Sequence, residues 1–368
     1  MATRKPSKPS KKSLEFNIAG ASVLTEEARH QNELKHLRRQ LDEAIQARIL
    51  DQTYEQFISR ILQRKVVIPD WTLPRRNQKH HQVIPMTNLS DAHFDEVVRP
   101  EEVQHRNGYN RDIAERRLKL YFTNVIKVAH NYVHGFEYPG IVINLLGDMF
   151  SGCIHEELQQ TNEDTIVGSI LHWRKQLGAG LKQLADAFGK VWVTGVVGNH
   201  PRNTKKPRMK MRARDNFDWL LYQLLRSDLE GDRRFEWLIA DGQKLLFKVY
   251  DHKFIASHGD ECKGGSGIAG MLSPQLIAMA RMKKMYDFDT WILGHWHCLG
   301  AYRGIRVNGS LKGYDEYAAI QNFDYQPPQQ DFFLVAPGRG ITASWPIFCA
   351  ADNEPWHKRP DAARPFST

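Results

Sequence analysis

Five apolar segments of this chain each end in a turn of polar residues that can bind metal ions or move protons. The central one runs Val191-Trp-Val-Thr-Gly-Val-Val-Gly-Asn-His200, a β-branched stretch that stops at Gly-Asn-His. One such turn is common in proteins, but four further segments repeat it: Leu89-Ser-Asp91-Ala-His93, Val142-Ile-Asn-Leu-Leu-Gly147-Asp148, Phe254-Ile-Ala-Ser-His258-Gly-Asp260 and Trp291-Ile-Leu-Gly294-His295-Trp-His297. Runs of this kind predict strands, whose carboxyl ends line the functional site in open α/β folds. We therefore expect one site that collects Asp91, His93, Asp148, Asn199, His258, His295 and His297.

Helices are predicted between these strands. Apolar residues at helical spacing indicate helices over about residues 112–133 and 165–188, and another that begins near Phe217. Strands that alternate with helices define an α/β fold. Residues 235–240, 245–250 and 254–257 are apolar stretches separated by short polar turns, which predicts successive hairpin strands. The expected architecture is a two-sheet β-sandwich flanked by helices, formed by residues 81–348.

The two ends of the chain differ in character from this domain. Residues 1–22 form a basic, Pro/Ser-rich arm whose composition predicts disorder. Residues 23–80 form a helical extension with an apolar stripe over about residues 25–64. That stripe must cover the main domain, a second copy in a homodimer, or part of a DNA-reading arrangement of helices, and packing on protein is the simplest choice. Residues 349–368 are expected to be a C-terminal tail.

Composition excludes several classes of protein. Hydrophobic residues make up 41% of the 368 residues, which suffices for a large core. No apolar run approaches the ~20 residues of a membrane span, and no apolar signal segment follows the basic start, so we expect a cytoplasmic protein without membrane contacts. The four cysteines lack the spacing of a zinc module and are expected to be small core residues.

Positive charge is concentrated beside the central turn. The net charge is +9, and seven basic residues lie between Arg202 and Arg214 with no acidic residue before Asp215. A charge run is often only a solvated surface. Next to a strand end, however, it would create a positive field that attracts polyanions, so nucleic acid is the expected partner. The candidate substrate-binding residues are Arg202, Lys205 and Lys206.

The chemistry of the collected side chains points to a pair of metal ions. Carboxylate, imidazole and amide oxygen suit borderline divalent ions, and manganese is favoured here over iron or zinc, whereas a magnesium site would contain fewer histidines. Seven ligands are too many for one ion and suit two ions that share a carboxylate. Two ions ~3.5–4 Å apart can each bind a phosphate oxygen and hold a hydroxide between them for in-line attack.

In chain order, the five motifs resemble those of the calcineurin-like metallophosphoesterases over about residues 84–310. Residues 147–158 and 308–314 are also similar to uncharacterised members encoded by tailed bacteriophages, which would place the protein in the host cytoplasm. The resemblance implies that Asp148 bridges two ions and that His200 protonates the leaving oxygen or stabilises charge in the transition state. It implies one ion on Asp91, His93, Asp148 and His297, and the other on Asp148, Asn199, His258 and His295.

Departures from the family motifs narrow the range of substrates that we expect for this chain. Protein serine/threonine phosphatases carry Asp-Arg-Gly shortly after Gly-Asp and an acid after Gly-Asn-His, where this chain has residues 149–152 and Pro201. Break-repair nucleases often place a histidine three residues after the bridging aspartate, where this chain has Ser151. Both of those activities are therefore disfavoured.

The predicted function is that of a two-metal phosphodiesterase, or nuclease, acting on nucleic acid. One alternative is hydrolysis of a small nucleotide or phosphorylated metabolite. Another is a DNA-binding or scaffold protein that keeps a relic phosphoesterase domain. A domain that no longer needs metal usually loses its ligand residues first, however, and here the ligand set is complete.

Overall fold

The structure, a computed structural model, describes residues 68–73, 82–152, 154, 156–263, 272–351 and 354, together with five helical positions between residues 36 and 59. The chain divides into two units, residues 1–65 and residues 66–368. The predicted basic arm, most of the helical extension with its predicted homodimer contact, and residues 352, 353 and 355–368 of the tail lie outside the described residues. Trp71, which belongs to the predicted extension, is buried in a core cluster of the second unit.

The described residues form eleven strands. In chain order they are β1 Ile84–Leu89, β2 Ile141–Leu145, β3 Val191–Gly195, β4 Phe235–Ile239, β5 Leu245–Val249, β6 His252–Ala256, β7 Thr290–Leu293, β8 Gly300–Tyr302, β9 Ile305–Val307, β10 Gln329–Ala336 and β11 Gly340–Phe348.

Six α-helices of the described residues connect or follow these strands. They are α1 Arg111–Lys127, α2 Glu156–Thr161, α3 Ile166–Phe188, α4 Phe217–Asp228, α5 Leu272–Met282 and α6 Glu316–Ile320. Side-chain caps begin two of the long helices: Asn110 Oδ1 accepts the N–H of Ile113 at 2.9 Å, and Thr165 Oγ1 accepts that of Gly168 at 3.2 Å. These caps satisfy donors that the first turn leaves unpaired. A π-helical turn, Val128–Tyr132, extends α1.

The strands belong to two sheets. The first has the order β11-β10-β1-β2-β3-β4 and the second has the order β5-β6-β7-β9-β8. Strands β1 to β4 are mutually parallel, and β6, β7 and β9 are parallel in the other sheet. The carboxyl ends of parallel strands emerge at one edge of a sheet, so the turns after β1, β2 and β3 are neighbours.

Both sheets are covered on two faces. Along β3, Val191 and Val193 face the core shared with the long helices, whereas Trp192 between them faces the other sheet. Trp291 on β7 packs with Met279 of α5 on the outer face of the second sheet. Strands buried on both faces consist of continuous apolar runs, which is why the strand segments were readable in the sequence.

The α/β sandwich flanked by helices is confirmed, whereas the prediction of three successive hairpin strands is wrong. Strand β4 is an edge strand of the first sheet, parallel to β3, and only β5 and β6 form a hairpin. The reason is helix α4, which carries the chain from β3 back across the sheet. A strand that follows such a crossover pairs in parallel with the strand that precedes it.

No helix among the described residues is long and apolar enough to cross a lipid bilayer.

Candidate metal centre

The seven predicted ligands all follow strands, and the ligand atoms of six of them lie close together. Asp91 and His93 follow β1, Asp148 follows β2, and Asn199 follows β3 in the first sheet. His258 follows β6, and His295 and His297 follow β7 in the second sheet. The edge of the first sheet therefore supplies both carboxylates, one imidazole and the amide, and the edge of the second sheet supplies three imidazoles.

Three overlapping groups of side chains have ligand atoms within 4.8 Å of one another: Asp91, His93 and His297; His93, Asp148 and His200; and Asp148, His258 and His295. In the first group, His297 Nε2 lies 3.2 Å from His93 Nε2 and 3.4 Å from Asp91 Oδ1. In the last, His258 Nε2 lies 2.9 Å from Asp148 Oδ2. The same Oδ2 lies 3.9 Å from His93 Nε2, so Asp148 stands between the two outer groups.

The donors present fit a pair of metal ions. Asn199 Oδ1 is buried and has no hydrogen-bond partner among the described residues, which is costly for an amide oxygen unless an ion completes it. Asp91 and Asp148 are also almost fully buried. Carboxylates, imidazoles and one amide oxygen form a mixed O/N set that borderline divalent ions prefer.

An unusual backbone conformation aims these side chains inward. Asp91, His93, Asp148, His295 and His297 have φ angles of 52°, 45°, 50°, 70° and 54°. Left-handed backbone at a residue other than glycine is uncommon and costs free energy, and it clusters at functional sites. These sharp turns let two ligands two residues apart, such as His295 and His297, both reach the site.

The glycines of the motifs are explained by the close approach of carboxylate oxygens to their backbone. A Cβ atom on Gly198 would lie 2.0 Å from Asp148 Oδ1, and one on Gly294 would lie 2.6 Å from Asp91 Oδ2. Only glycine lets the backbone pass so near a carboxylate. The Gly-Asn-His and Gly-His-x-His turns therefore owe their first residue to packing against the ligands.

Electrostatic coupling between Asp148 and His258 is strong. Burial alone would raise the pKa of Asp148, but the neighbouring histidines, His258 foremost, outweigh burial and hold this pKa well below its usual range. Burial likewise favours neutral His258, yet the carboxylate of Asp148 raises the pKa of His258 to about 10. Because a metal ion binds neutral imidazole, metal binding at this pair would release the proton of His258.

His200 lies against the same carboxylate. Its backbone N–H donates to Asp148 Oδ1 at 2.8 Å, and its Nδ1 lies 3.1 Å from Ser151 O. A carbonyl oxygen only accepts, so Nδ1 carries the proton, and a second proton would have to be held on Nε2. Burial lowers the pKa of His200 to about 3 although the neighbouring Asp148 carboxylate raises it, so the ring is neutral at neutral pH.

A buried ion-pair network supports His93. Glu96 Oε2 lies 3.2 Å from His93 Nδ1 and accepts the hydroxyl of Ser151 at 3.1 Å. Glu96 Oε1 accepts from Lys312 Nζ at 2.7 Å, and Lys312 Nζ also lies 2.6 Å from Asp315 Oδ2. Sequence reasoning gave Glu96 no role, and only a search for acids within four residues of a ligand would have selected it.

Asp218 is a second residue that sequence reasoning missed. Its carboxylate accepts the N–H groups of Asp148, Met149 and Gly198 at 2.9, 3.1 and 2.9 Å. Burial and the neighbouring Asp148 raise the pKa of Asp218 to about 7. Asp218 therefore ties the Gly-Asp turn to the Gly-Asn-His turn from the first turn of α4. The signal available in sequence was an acid just after the capping residue Asn216.

The predicted substrate-binding residues differ in their availability. The guanidinium group of Arg202 donates to the carbonyl oxygens of Asn199, Thr204 and Lys205 at 2.8, 2.9 and 3.1 Å. Arg202 therefore shapes the loop. Lys205 and Lys206 are exposed to solvent. Three other arginines of the run face acids: Arg208 and Asp215, Arg212 and Asp260, and Arg214 and Asp241.

No family model and no curated protein matches the sequence. Among solved structures, the chain is similar to a dimetal phosphatase from Danio rerio (11% identity, TM-score 0.32, 73% of this chain and 99% of that chain). It is also similar to a predicted phosphoesterase from Streptococcus pneumoniae (9% identity, TM-score 0.28, 71% and 97%). A third is vacuolar protein sorting 29 from Cryptosporidium parvum (9% identity, TM-score 0.29, 69% and 86%). At these scores the likeness identifies no activity, so the chemistry is inferred from this chain's own residues.

Proposed function

We propose that this protein is a metal-dependent phosphoesterase of the calcineurin-like type that hydrolyses phosphodiester bonds. The observation that carries the proposal is the position of Asp148, whose Oδ2 lies 2.9 Å from His258 Nε2 and 3.9 Å from His93 Nε2. One carboxylate between two groups of imidazoles suits two ions that share it. Such a pair supplies Lewis-acid activation of the ester and of the attacking water.

The residues of the chain have separate roles in this proposal. Asp91, His93 and His297 would hold one ion, Asn199, His258 and His295 would hold the other, and Asp148 would serve both. His200 protonates the leaving oxygen from Nε2. The negative charge of a bound phosphate beside the buried ring favours the imidazolium form that this step requires.

Several finer assignments belong to the same proposal. The ions are manganese, or else iron or zinc, because imidazoles dominate the ligand set. The natural substrate is a nucleic acid, supported by the exposed lysines beside Asn199 and by the basic arm. We also propose that the protein is related to bacteriophage proteins and that it acts in the cytoplasm.

The test is metal-reconstituted hydrolysis of bis(p-nitrophenyl) phosphate beside p-nitrophenyl phosphate, followed by labelled DNA and RNA. We expect metal-dependent turnover of the diester that EDTA abolishes and Mn²⁺ restores. Failure of Mn²⁺, Fe²⁺ and Zn²⁺ to support turnover of any of these substrates would refute the enzymatic proposal. Turnover of the monoester alone would favour a phosphatase for small molecules.

Replacing Lys205, Lys206 and Lys210 together by Gln should weaken binding of DNA or RNA. These side chains are exposed, so each can contact a phosphate without leaving a buried partner behind. Each lost contact removes about 0.7–0.9 from the slope of log K against log salt, so the slope should flatten by about 2–3. Fluorescence anisotropy across a salt series measures both quantities.

The matched control replaces Lys119, Lys175 and Lys248, three exposed lysines on α1, α3 and β5, by Gln. It changes the net charge equally without altering the loop after Asn199. An equal fall in affinity in both triple variants would mean that only net charge matters. Unchanged affinity and slope in the loop variant would favour the small-substrate alternative.

Glu96→Gln should lower metal affinity by about 10–100-fold, the usual effect of removing a carboxylate that orients a ligating histidine. Gln keeps the shape of Glu96 but removes the charge that faces His93 Nδ1 at 3.2 Å. Isothermal titration calorimetry with Mn²⁺ measures the change. Glu102→Gln, an exposed position of the same segment, is the control. Equal affinities for the two variants would mean that Glu96 only balances the charge of Lys312.

A further inference from the structure

A pocket adjoins the candidate metal centre on the side of the basic loop. It is a small depression that measures about 340 Å³ when the open solvent at its mouth is included. Asn199 forms part of its wall, and Asp260, two residues after His258, forms another part. Any group that occupies this pocket therefore lies beside a group that reacts at the metals.

Positive charge dominates the lining. Arg202, Arg208 and Arg212 line the pocket together with Asp215 and Asp260, which makes three guanidinium groups against two carboxylates. Three of the five N–H donors of Arg202 already bind backbone carbonyls, so Arg208 and Arg212 are better placed than Arg202 to bind a ligand.

Arg212 is held in place by an ion pair and has an N–H donor that is not used within the described part of the chain. Its Nη2 donates to both carboxylate oxygens of Asp260, at 2.7 and 2.8 Å. Its Nε is buried and has no hydrogen-bond partner among the described residues. A buried guanidinium N–H without a partner is costly, and an anionic oxygen is the acceptor that satisfies it best.

Arg208 is more loosely paired than Arg212. Its Nη1 lies 3.8 Å from Asp215 Oδ2, beyond ordinary hydrogen-bond length, and its side chain is 66% exposed. It can therefore turn from Asp215 toward a ligand at little cost. A fixed Arg212 and an adjustable Arg208 form a clamp for a tetrahedral anion, since guanidinium groups recognise phosphate through paired N–H donors.

We infer that this pocket binds a second phosphoryl group of the substrate, next to the one that is hydrolysed. The inference rests on the proposed phosphodiesterase function and adds a specificity that the metals cannot provide. The substrate class is a phosphodiester with a neighbouring phosphate, as in an oligonucleotide, rather than an isolated diester.

The test compares three dithymidine substrates in the full-length, metal-loaded protein: one without a terminal phosphate, one with a 5′-phosphate and one with a 3′-phosphate. A terminal phosphate should raise kcat/KM by about 10-fold or more, mostly through KM, as expected for a charge-assisted hydrogen bond. The substrate that gains identifies the side on which the pocket lies. If neither phosphate changes kcat/KM, the inference is wrong.

Variants then assign the effect to the clamp. Arg208→Gln should remove most of the gain, and because Arg208 is exposed the chain should fold normally. Arg212→Gln should remove the gain as well, and Arg212→Lys should restore part of it, since Lys keeps the charge but not the fork. Lys248→Gln, on β5 of the second sheet, is the control that should keep the full gain.

The outcomes separate this inference from the proposed function. If bis(p-nitrophenyl) phosphate is not hydrolysed, the proposed function fails. If it is hydrolysed and the gain from a terminal phosphate survives both Arg208→Gln and Arg212→Gln, only the assignment of this pocket is overturned.

Discussion

Asp148→Asn is expected to leave fewer than two bound ions per chain and to lower turnover of a phosphodiester by at least about 10⁴-fold. Bound metal typically lowers the pKa of water to about 7, and this activation is lost with the ions. Asn conserves the volume of the buried side chain and keeps an oxygen for the N–H of His200, which lies 2.8 Å away. Metal content by mass spectrometry and steady-state kinetics measure the two effects, and circular dichroism checks the fold.

His93→Asn is the comparison that isolates the bridge, because in the proposed assignment it removes a ligand of one ion only. We expect it to keep one tightly bound ion and to lose less activity than Asp148→Asn. His172→Asn is the control for replacing a histidine, since His172 pairs with Glu115 at 2.8 Å and belongs to none of the three ligand groups. Two bound ions and normal turnover in Asp148→Asn would show that Asp148 does not bridge.

His200→Asn is expected to retain both ions while turnover of a diester with an alkyl leaving group falls about 10²–10⁴-fold. The loss should be much smaller for bis(p-nitrophenyl) phosphate, because p-nitrophenolate leaves without a proton. Nδ1 of His200 faces Ser151 O, so Nε2 is the ring atom that can deliver a proton, and the substitution by Asn removes it. Kinetics with a series of leaving groups of increasing pKa measure the dependence.

The pH dependence gives a second readout of His200. Burial lowers the pKa of His200 to about 3, so the free protein carries a neutral ring at neutral pH. The substrate phosphate raises this pKa in the complex, and the alkaline limb assigned to His200 should therefore appear in kcat and disappear in His200→Asn. Equal losses for both leaving groups would indicate positioning. Loss of an ion in His200→Asn would indicate that His200 is itself a metal ligand, since its ligand atom lies within 4.8 Å of those of His93 and Asp148.

The strand-end positions of the candidate ligands could be predicted from the sequence, for a local reason. Strands buried on both faces are continuous apolar runs, so Val191–Gly195 and Ile141–Leu145 were visible without knowledge of their partners. Their polar ends follow directly in the chain. Helix α3 was similarly clear, because Thr165 caps a long stretch of apolar residues at helical spacing.

Strand pairing was less predictable. The turn residues after β4 suggested a hairpin, but α4 returns the chain across the first sheet and β4 pairs with β3 instead. A short turn is a local signal, whereas sheet membership depends on the route of the whole connection. The alternation of apolar residues cannot report which neighbouring strand completes the hydrogen bonds.

What the sequence by itself determined is the fold class and the residues that gather at the carboxyl ends of the strands. Only the tertiary structure decided which acids support those residues. Glu96 and Lys312 are 216 positions apart, and Asp218 is 70 positions from Asp148, yet both pairs are in hydrogen-bond contact. Such contacts leave no periodic trace, because nothing local distinguishes a buried, paired carboxylate from a solvated one. The ion pair of Arg212 with Asp260 arises in the same way, because Arg212 follows a strand of the first sheet and Asp260 follows a strand of the second.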